Sequence, residues 1–261
     1  MAAPETNIDL YTAGTPNGQK ISITLEELGL KYNVHKVEIA KNQQKEEWFL
    51  KINPNGRIPA LTDNTHHPSP PQTLFEGASI QLYLCAHYDP SHTLSFPPNT
   101  PQYFQLLNWL IWMQSGIGPM QGQANHFHRY APTKIPYAIN RYQTETKRLY
   151  RVLNDHLAAQ ETANQGLWIV GGKYTIADIC CFSWVNWAEW AGVETRTFEA
   201  LQTWLETIQK REAVQRGCDV PDKFEMKEAM KTKEGAEEYA KHHSNWVMKG
   251  QEEDQKKMHR F

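Results

Sequence analysis

The sequence predicts an α/β unit followed by an all-helical unit. In the first 90 residues, short apolar segments typical of strands alternate with helix-like segments. The segment "PSHTLSFPPNTP" then contains four prolines and no periodicity, as a linker does. After it, apolar residues recur mainly at helical spacing. We therefore expect domains at residues 1–90 and 101–217, a linker at 91–100 and a charged C-terminal extension at 218–261.

The composition limits the class of partner. Of 261 residues, 40% are apolar and 21% charged, and the formal net charge is −2. So small a charge does not favour nucleic acid or an anionic membrane over small molecules. The N-terminus "MAAPETNIDL" lacks the features of a secretory signal, and no run of about 18 apolar residues occurs. We expect a cytoplasmic protein with small-molecule partners, no nucleic acid and no membrane.

Cysteine and histidine spacing excludes several chemistries. The four cysteines form no CxxC pair, and neither zinc spacing nor HExxH occurs, so we expect no metal. Adjacent Cys180 and Cys181 allow a vicinal disulfide, but two small buried residues within a helix is the favoured interpretation. GxSxG, P-loop and GxGxxG motifs are absent, which leaves acyl transfer, phosphoryl transfer and dinucleotide chemistry without support.

The first elements are a strand and a helix. "IDLYTA", at residues 8–13, is a short apolar segment that predicts a strand. Ile21, Leu25 and Leu28 then recur near helical spacing, and Gly29 is suited to end the helix. The remainder of this unit contains the strand-like segments "YNVHKVEI", "RIPALT" and "TLFE" and the helix-like segments "QQKEEWFLKI" and "GASIQLYLCAHY". A polar loop, "DNTHHPSPPQ", separates the last two strands. The predicted order is β-α-β-α-β-β-α.

The motif "TPNG" precedes the first helix. Thr15 suits the N-cap, Pro16 suits the first helical position, and Asn17 with Gly18 leaves the next amides uncrowded. Free amides and the helix dipole favour an anion there, such as a carboxylate, phosphate or thiolate, to which the Asn17 amide can donate. The alternative is an ordinary helix cap.

The second unit is predicted to contain several helices. Residues 102–114 are apolar and aromatic, and Gly116, Gly118 and Pro119 are expected to break or kink that helix. Thr175 and Asp178 have the spacing of a capping box. Apolar stripes follow two further helices: Ile139, Tyr142, Leu149, Val152, Leu153 and Leu157 on one, and Phe198, Leu201, Trp204, Leu205 and Ile208 on the other.

The C-terminal segment differs from the rest, because 18 of its last 40 residues are charged, nine of each sign. It allows a docked helix, a segment that wraps the body through Phe224, Trp246 and Phe261, or a mobile extension.

Two further positions lie at the edges of the expected anion site. A cis Ile58–Pro59 bond would turn the Ile58 amide and carbonyl toward an extended peptide ligand, whereas an ordinary edge-strand proline is the alternative. Glu76 and Gly77 lie at a strand-to-helix junction, where an acidic side chain beside helix amides can hold an amino-acid-like group; a capping glutamate is the alternative.

The segments "TPNGQKISITLEELGL", "NPNGRIPAL", "EGASIQLYL" and "YTIADI" together resemble the glutathione transferase superfamily. With "GIGPMQGQANHFHRYA" and "IPYAINRYQTETKRLY", the chain is similar to the branch of bacterial Nu-class enzymes and fungal relatives of the yeast nitrogen regulator. The resemblance implies a thioredoxin-like N-terminal domain, a helical C-terminal domain and a homodimer. It also implies glutathione as co-substrate and activity as a glutathione transferase or disulfide-bond reductase in detoxification.

The resemblance also implies residue roles. Asn17 and Thr15 would face the glutathione sulfur, Gln44 would approach the glycine end, and Ile58 with Pro59 would pair with the cysteinyl backbone. Glu76 and Gly77 would hold the γ-glutamyl end. The family commonly has Glu-Ser-Gly-Ala-Ile where this chain has Glu-Gly-Ala-Ser-Ile, so Gly77 lacks a hydroxyl that Ser79 is a candidate to replace.

The second-substrate pocket is expected between residues 113 and 130. Its candidate residues are Met113, Met120, Phe127, Arg129 and Tyr130, and core packing is the alternative for all five. Tyr11 is the rival to Asn17, because other branches use a tyrosine near the end of the first strand. A glutathione-binding regulatory protein with little catalysis and a structural interaction module are the alternative functions.

Overall fold

The computed structural model describes residues 5–66, 70–163 and 166–258. Four strands of the described chain form one mixed sheet: β1 (Ile8–Thr12), β2 (Asn33–Lys36), β3 (Ala60–Asp63) and β4 (Gln72–Phe75). Their order is β2-β1-β3-β4. Strand β1 runs parallel to β2 and antiparallel to β3, which pairs antiparallel with β4. Residues 67–69 of the predicted loop between β3 and β4 lie outside the described residues.

In the described part of the first unit, three α-helices accompany the sheet: α1 (Pro16–Glu27), α2 (Glu47–Leu50) and α3 (Gly77–Tyr88). Two short 3₁₀ turns, Ile39–Lys41 and Gln43–Lys45, precede α2. The apolar faces of α1 and α3 pack on β1 and β3 to form one core, which includes Ile8, Leu10, Ile21, Leu25, Leu61, Ile80 and Leu84. The predicted thioredoxin-like order is therefore confirmed.

The second unit begins with α4 (Pro101–Trp112), whose N-cap is Thr100. Glycine and proline in the next segment do not end the helical path. Instead, a π-helical turn at Met113–Ile117 leads into α5 (Gly118–Asn125), and a second π turn at His126–Tyr130 follows. The predicted break is thus a change of helical winding, which π turns commonly provide near functional sites.

The long helix α6 (Pro136–Thr162) buries Leu149, Leu153 and Leu157 of the predicted stripe, whereas Ile139 and Tyr142 are half-buried and Val152 is exposed. Tyr150, which was not predicted as a core residue, takes a fully buried position on the same helix. The stripe therefore lies on a slightly different face from the one the apolar spacing indicated.

Helix α7 (Ile176–Val185) is buried along its whole length, and the predicted capping box is present. The Asp178 carboxylate accepts four hydrogen bonds, from the Thr175 amide and hydroxyl (2.9 and 3.0 Å), the Ile169 amide (3.1 Å) and the Trp204 indole (2.9 Å). Cys180 and Cys181 are free and buried, so the vicinal disulfide is absent.

The predicted last helix of the body is divided into α8 (Glu199–Gln209) and α9 (Glu212–Cys218). Helix α9 approaches α1 closely, since a Cβ atom on Gly217 would lie 2.6 Å from the backbone of Ile23. The Ser22 hydroxyl donates to the Gly217 carbonyl at 2.6 Å. Helix α1 therefore packs against both the sheet and the helical unit.

The charged extension contains α10 (Met226–Ala229) and α11 (Lys233–Met258), which confirms a docked helix. Phe224 packs on Trp187, and Tyr239 of α11 packs edge-on against Trp190 with ring centroids 5.1 Å apart. Phe261 and the side chain of Trp246, the other expected anchors, lie outside the described residues. Among the helices of the described chain, none has the length and apolar composition of a bilayer span.

Candidate active site

A cavity of about 820 Å³ lies between the start of α1 and the helical unit. This volume is toward the upper end of the usual range for ligand pockets, roughly 300–1,000 Å³. Its lining comes from both units and from α11: Gly14, Thr15, Pro16, Asn17, Ile39, Gln44, Lys45, Arg57, Ile58, Gly122, Gln123, Asn125, His126, Phe127, Tyr130, Trp184, Trp187, His243, Gly250 and Gln255.

The start of α1 leaves one backbone amide available to a ligand. Thr15 is the N-cap, and its Oγ1 accepts from the Gly18 amide at 3.2 Å. The Gln19 amide donates to the Thr15 carbonyl at 2.9 Å, and Pro16 has no N–H. The Asn17 amide has no hydrogen-bond partner in the described part of the chain. The start of α1 therefore offers fewer free amides than the sequence predicted. The amide that stays available belongs to Asn17.

Gly18 is required for a different reason from the one inferred from the sequence. A Cβ atom there would lie 2.2 Å from the Ala13 carbonyl oxygen and 2.4 Å from Oγ1 of Thr12. The helix thus closes tightly on the end of β1, and only glycine fits this approach. This contact sets where Asn17 stands.

The Asn17 side chain is held by a tryptophan from the helical unit. Its Oδ1 accepts a hydrogen bond from Nε1 of Trp184 at 3.1 Å. Because an indole N–H can only donate, the amide oxygen must face Trp184 and the NH₂ group must point away from it. That NH₂ group has no partner among the described residues, and Asn17 lines the cavity.

Gln44 and Ile58 form the rim opposite α1. Gln44 is buried, its Nε2 donates to Oδ1 of Asn42 at 3.3 Å, and its Oε1 has no partner in the described chain. The Ile58–Pro59 bond is cis, which is the alternative that presents the Ile58 backbone to a peptide ligand. Within the described residues, neither the Ile58 amide nor its carbonyl is hydrogen-bonded, so both can pair with an extended ligand.

Glu76 and Gly77 lie at the start of α3, outside the residues that line the cavity. Glu76 has a φ of 70° and makes no side-chain cap, so the capping alternative is not observed. Gly77 is buried beside Lys20, whose Nζ would lie 3.9 Å from a Cβ atom on residue 77. Ser79, the candidate substitute, is exposed.

Lys20 is a buried cation that sequence reasoning missed. Only 1% of it is exposed, and its Nζ donates to Oε1 of Gln114 at 2.6 Å. Burial lowers the pKa of its ammonium group. The position of Lys20 among apolar residues of α1 could have indicated that it is buried, but the sequence did not indicate that Gln114 is its partner.

Of the five residues that the sequence proposed for the second-substrate pocket, only two line the cavity. Phe127 and Tyr130 line the cavity. Met113 is fully buried in the helical core, and Met120 packs against that core. Arg129 donates from Nε to the Trp190 carbonyl at 3.1 Å, and its guanidinium lies 4.8 Å from the Trp190 ring. These three side chains are held by packing behind the wall.

Lysine and arginine supply the formal charge of the described lining, which contains no acidic side chain. Lys45 and Arg57 lie on the side of the first unit. His126 lies on the opposite side, and burial lowers its pKa, so its imidazole is neutral at neutral pH. Together with the helix dipole of α1, Lys45 and Arg57 favour an anionic ligand.

The rival nucleophiles and activators are in unsuitable surroundings. Tyr11 lies outside the cavity lining and stacks on His35 with ring centroids 4.7 Å apart, and burial raises its pKa. Burial also raises the pKa of Tyr130 to about 12 and that of Cys180 to about 11. All four cysteines are buried, so none offers a thiolate to a substrate.

Several lining residues were not assigned to the site from the sequence, among them Ile39, Lys45, Trp184, Trp187, His243, Gly250 and Gln255. The last three belong to α11, which covers one side of the cavity. Their contribution depends on how distant helices pack, and the sequence pattern of each helix does not specify that. The described residues contain no group of three or more metal-ligating side chains placed to hold an ion.

Comparison with known proteins identifies the family. Models of the glutathione S-transferase N-terminal and C-terminal domains match residues 15–87 and 132–212. The disulfide-bond oxidoreductase YfcG of Escherichia coli is 43% identical over 209 residues, 79% of this chain and 92% of YfcG. A glutathione transferase homologue from Lodderomyces elongisporus, solved with two GSH per subunit, has a TM-score of 0.79 at 44% identity, over 82% of this chain and 99% of that chain. URE2P8 from Phanerochaete chrysosporium, solved with oxidised glutathione, has a TM-score of 0.75 at 33% identity, over 89% and 100% of the two chains. The chain therefore belongs to the glutathione transferase family.

Proposed function

We propose that this chain is a glutathione-dependent transferase and disulfide-bond reductase in which the start of α1 stabilises the glutathione thiolate. One observation supports this most strongly. Asn17 stands in the cavity with an unused backbone amide and a side-chain NH₂ group that has no partner in the described chain. Two donors on one residue at a helix N-terminus suit a sulfur anion.

Stabilising the thiolate is the chemical requirement. A free cysteine thiol has a pKa of about 8.5, and the thiolate is the nucleophile. Donors that bind the anion but not the thiol lower this pKa, so no separate base is needed. The Thr15 hydroxyl is a third candidate donor, because its oxygen accepts from Gly18 while its own proton stays available.

The same thiolate serves both reactions. Attack on an electrophilic carbon forms a carbon–sulfur bond and expels the leaving group with its electron pair. Attack on a mixed disulfide of glutathione forms glutathione disulfide, and the other sulfur leaves as a thiolate. The second reaction is supported by the large cavity, by the buried state of the protein's cysteines, and by relatives that bind two GSH or oxidised glutathione or are named disulfide-bond oxidoreductases.

The other contacts with glutathione and with the second substrate are proposed from where the residues lie in the fold. Gln44 would hold the glycine end, the backbone of Ile58 before Pro59 would pair with the cysteinyl unit, and Glu76 with Gly77 would hold the γ-glutamyl end. Residues 1–90 would thus bind glutathione. Phe127 and Tyr130 of the helical unit at 101–217, joined through the linker at 91–100, would contact the second substrate.

We also propose a cytoplasmic homodimer. The resemblance implies the dimer, and Phe75 on β4 and Phe104 and Ile111 on α4 support it because they are large apolar side chains left exposed in the single chain. Sedimentation of the purified protein at twice the chain mass is the expected result, and a monomer at micromolar concentration would refute the dimer.

The test of the function is Asn17→Ala with Asn140→Ala, an exposed asparagine on α6 outside the cavity lining, as control. Loss of one donor to a charged group should lower kcat roughly 10- to 100-fold and change glutathione affinity less. Both steady-state turnover and glutathione binding are measured. Unchanged turnover would remove Asn17 from the mechanism. Glutathione binding without turnover of any disulfide or halogenated aromatic, in the unsubstituted protein, would favour the regulatory alternative.

A further inference from the structure

The orientation of the Asn17 amide decides what it does to a sulfur anion. A side-chain amide has a donor end and an acceptor end of nearly equal shape, and it rotates between two orientations. With NH₂ toward the sulfur it stabilises the thiolate, and with the oxygen toward the sulfur it opposes ionisation. Some contact must therefore select one orientation.

Trp184 is the residue in contact with the acceptor end. Its Nε1 donates to Oδ1 of Asn17 at 3.1 Å across a separation of 167 residues. Since indole nitrogen never accepts, rotating the amide by half a turn would set two donors against each other. The hydrogen bond therefore permits one orientation and disfavours the other.

The indole ring is itself held in place. Trp184 is 8% exposed. The face of α5 that contains Gly118 and Gly122 packs on its ring, since a Cβ atom on either glycine would lie 3.5 Å from a ring atom. The Trp184 carbonyl accepts from Nε2 of Gln121 at 2.7 Å, and Oε1 of Gln121 accepts from the Tyr150 hydroxyl at 2.6 Å. Gln121 and Tyr150 are fully buried. A buried chain of contacts thus runs from α6 through α5 and α7 to the site.

We propose that Trp184 is a positioning residue of the thiolate site, whose indole N–H holds the Asn17 side chain with its NH₂ group toward the glutathione sulfur. The inference rests on the proposed function, because it assigns Trp184 an effect only through Asn17. It also makes the helical unit part of thiol activation as well as of second-substrate binding.

The test is a double-mutant cycle read out on bound glutathione. The thiol pKa in the complex is measured by the ultraviolet absorbance of the thiolate in the unsubstituted protein, Trp184→Phe, Asn17→Ala and the double variant. Trp184→Phe should raise this pKa by about one unit when Asn17 is present. It should have no further effect in the Asn17→Ala background, because the group it positions is gone.

Trp48→Phe is the control. Its indole N–H donates to Oε2 of Glu46 at 2.6 Å and Trp48 does not line the cavity, so its loss should leave the bound thiol pKa unchanged. If Trp184→Phe does not fold, Trp184→3-benzothienylalanine keeps the shape of the indole and removes only the donor, and the same shift is expected.

The outcomes separate the two claims. An equal rise in pKa with and without Asn17 would show that Trp184 acts only through packing and would overturn the inference. A shift in Asn17→Ala with none in Trp184→Phe or its isosteric replacement would overturn the inference alone. An unchanged pKa in Asn17→Ala by itself would overturn both the proposed role of Asn17 and the positioning role.

Discussion

Gln19 and Trp187 are joined by a buried hydrogen bond of 2.9 Å from the indole Nε1 to the side-chain oxygen. On its other side, Nε2 of Gln19 donates to the Cys218 carbonyl at 3.2 Å. The fully buried side-chain amide of Gln19 thus satisfies the indole N–H of Trp187 and the backbone carbonyl of Cys218 at the same time. The helix that presents Asn17 is therefore held by residues 168 and 199 positions away from Gln19.

Gln19→Leu should lower the free energy of unfolding by about 2–4 kcal/mol. It keeps a similar volume but leaves the Trp187 indole N–H and the Cys218 carbonyl without partners in a buried site, which costs about 1–3 kcal/mol for each such group. Urea denaturation measures the change. Gln105→Leu, on an exposed position of α4, is the control and should stay within about 0.5 kcal/mol of the unsubstituted protein. A Gln19 variant as stable as this control would contradict the prediction.

Asp178→Asn tests the capping box. The carboxylate accepts from donors on both oxygens, so an amide of the same shape must turn its NH₂ group toward two donors. We expect a loss of about 2–4 kcal/mol in unfolding free energy, with α7 the affected helix. Denaturation followed by circular dichroism measures it. A loss below about 0.5 kcal/mol would show that the four hydrogen bonds contribute little.

The pH dependence of activity should come from glutathione and not from tyrosine. Burial raises the pKa of Tyr11, and it raises that of Tyr130 to about 12, so both hydroxyls stay protonated at neutral pH. Activity should therefore rise with pH through the thiol pKa alone. Tyr11→Phe and Tyr130→Phe should leave the midpoint of the kcat/KM profile unchanged, and a displaced midpoint in Tyr11→Phe would restore tyrosine activation.

Helix α11 should limit the space at the glutathione rim. Gly250 lines the cavity, and a Cβ atom there would meet only Oδ1 of Asn42, at 3.8 Å among the described atoms. Gly250→Phe should fill this space and raise the KM for glutathione roughly fivefold or more, which is about 1 kcal/mol. Gly250→Ala, which the space accommodates, is the control. Equal KM values for the two variants would show that α11 does not border the bound glutathione.

The sequence predicted local structure well because local chemistry determined it. The Thr15 cap, the Thr175–Asp178 capping box and the helix at "GASIQLYLCAHY" depend on neighbours within one turn, and all three are observed. The predicted burial of Val152 was wrong because an amphipathic stripe is wider than the face that packs.

Contacts between distant segments could not be predicted from single-helix patterns. The Trp184–Asn17 hydrogen bond, the burial of Lys20 beside Gly77 and the cover of α11 over the cavity all depend on tertiary packing. For the same reason Met113 and Arg129 were placed in the pocket, although packing holds them behind its wall.

The central claim is that Asn17 at the start of α1 stabilises the glutathione thiolate. The most direct measurement is the pKa of the glutathione thiol bound to the unsubstituted protein and to Asn17→Ala, followed by thiolate absorbance. We predict a bound thiol pKa clearly below the value of about 8.5 for a free cysteine, and a rise of about 1–2 units in Asn17→Ala. The same thiol pKa in both proteins, with glutathione bound in both, would contradict the account.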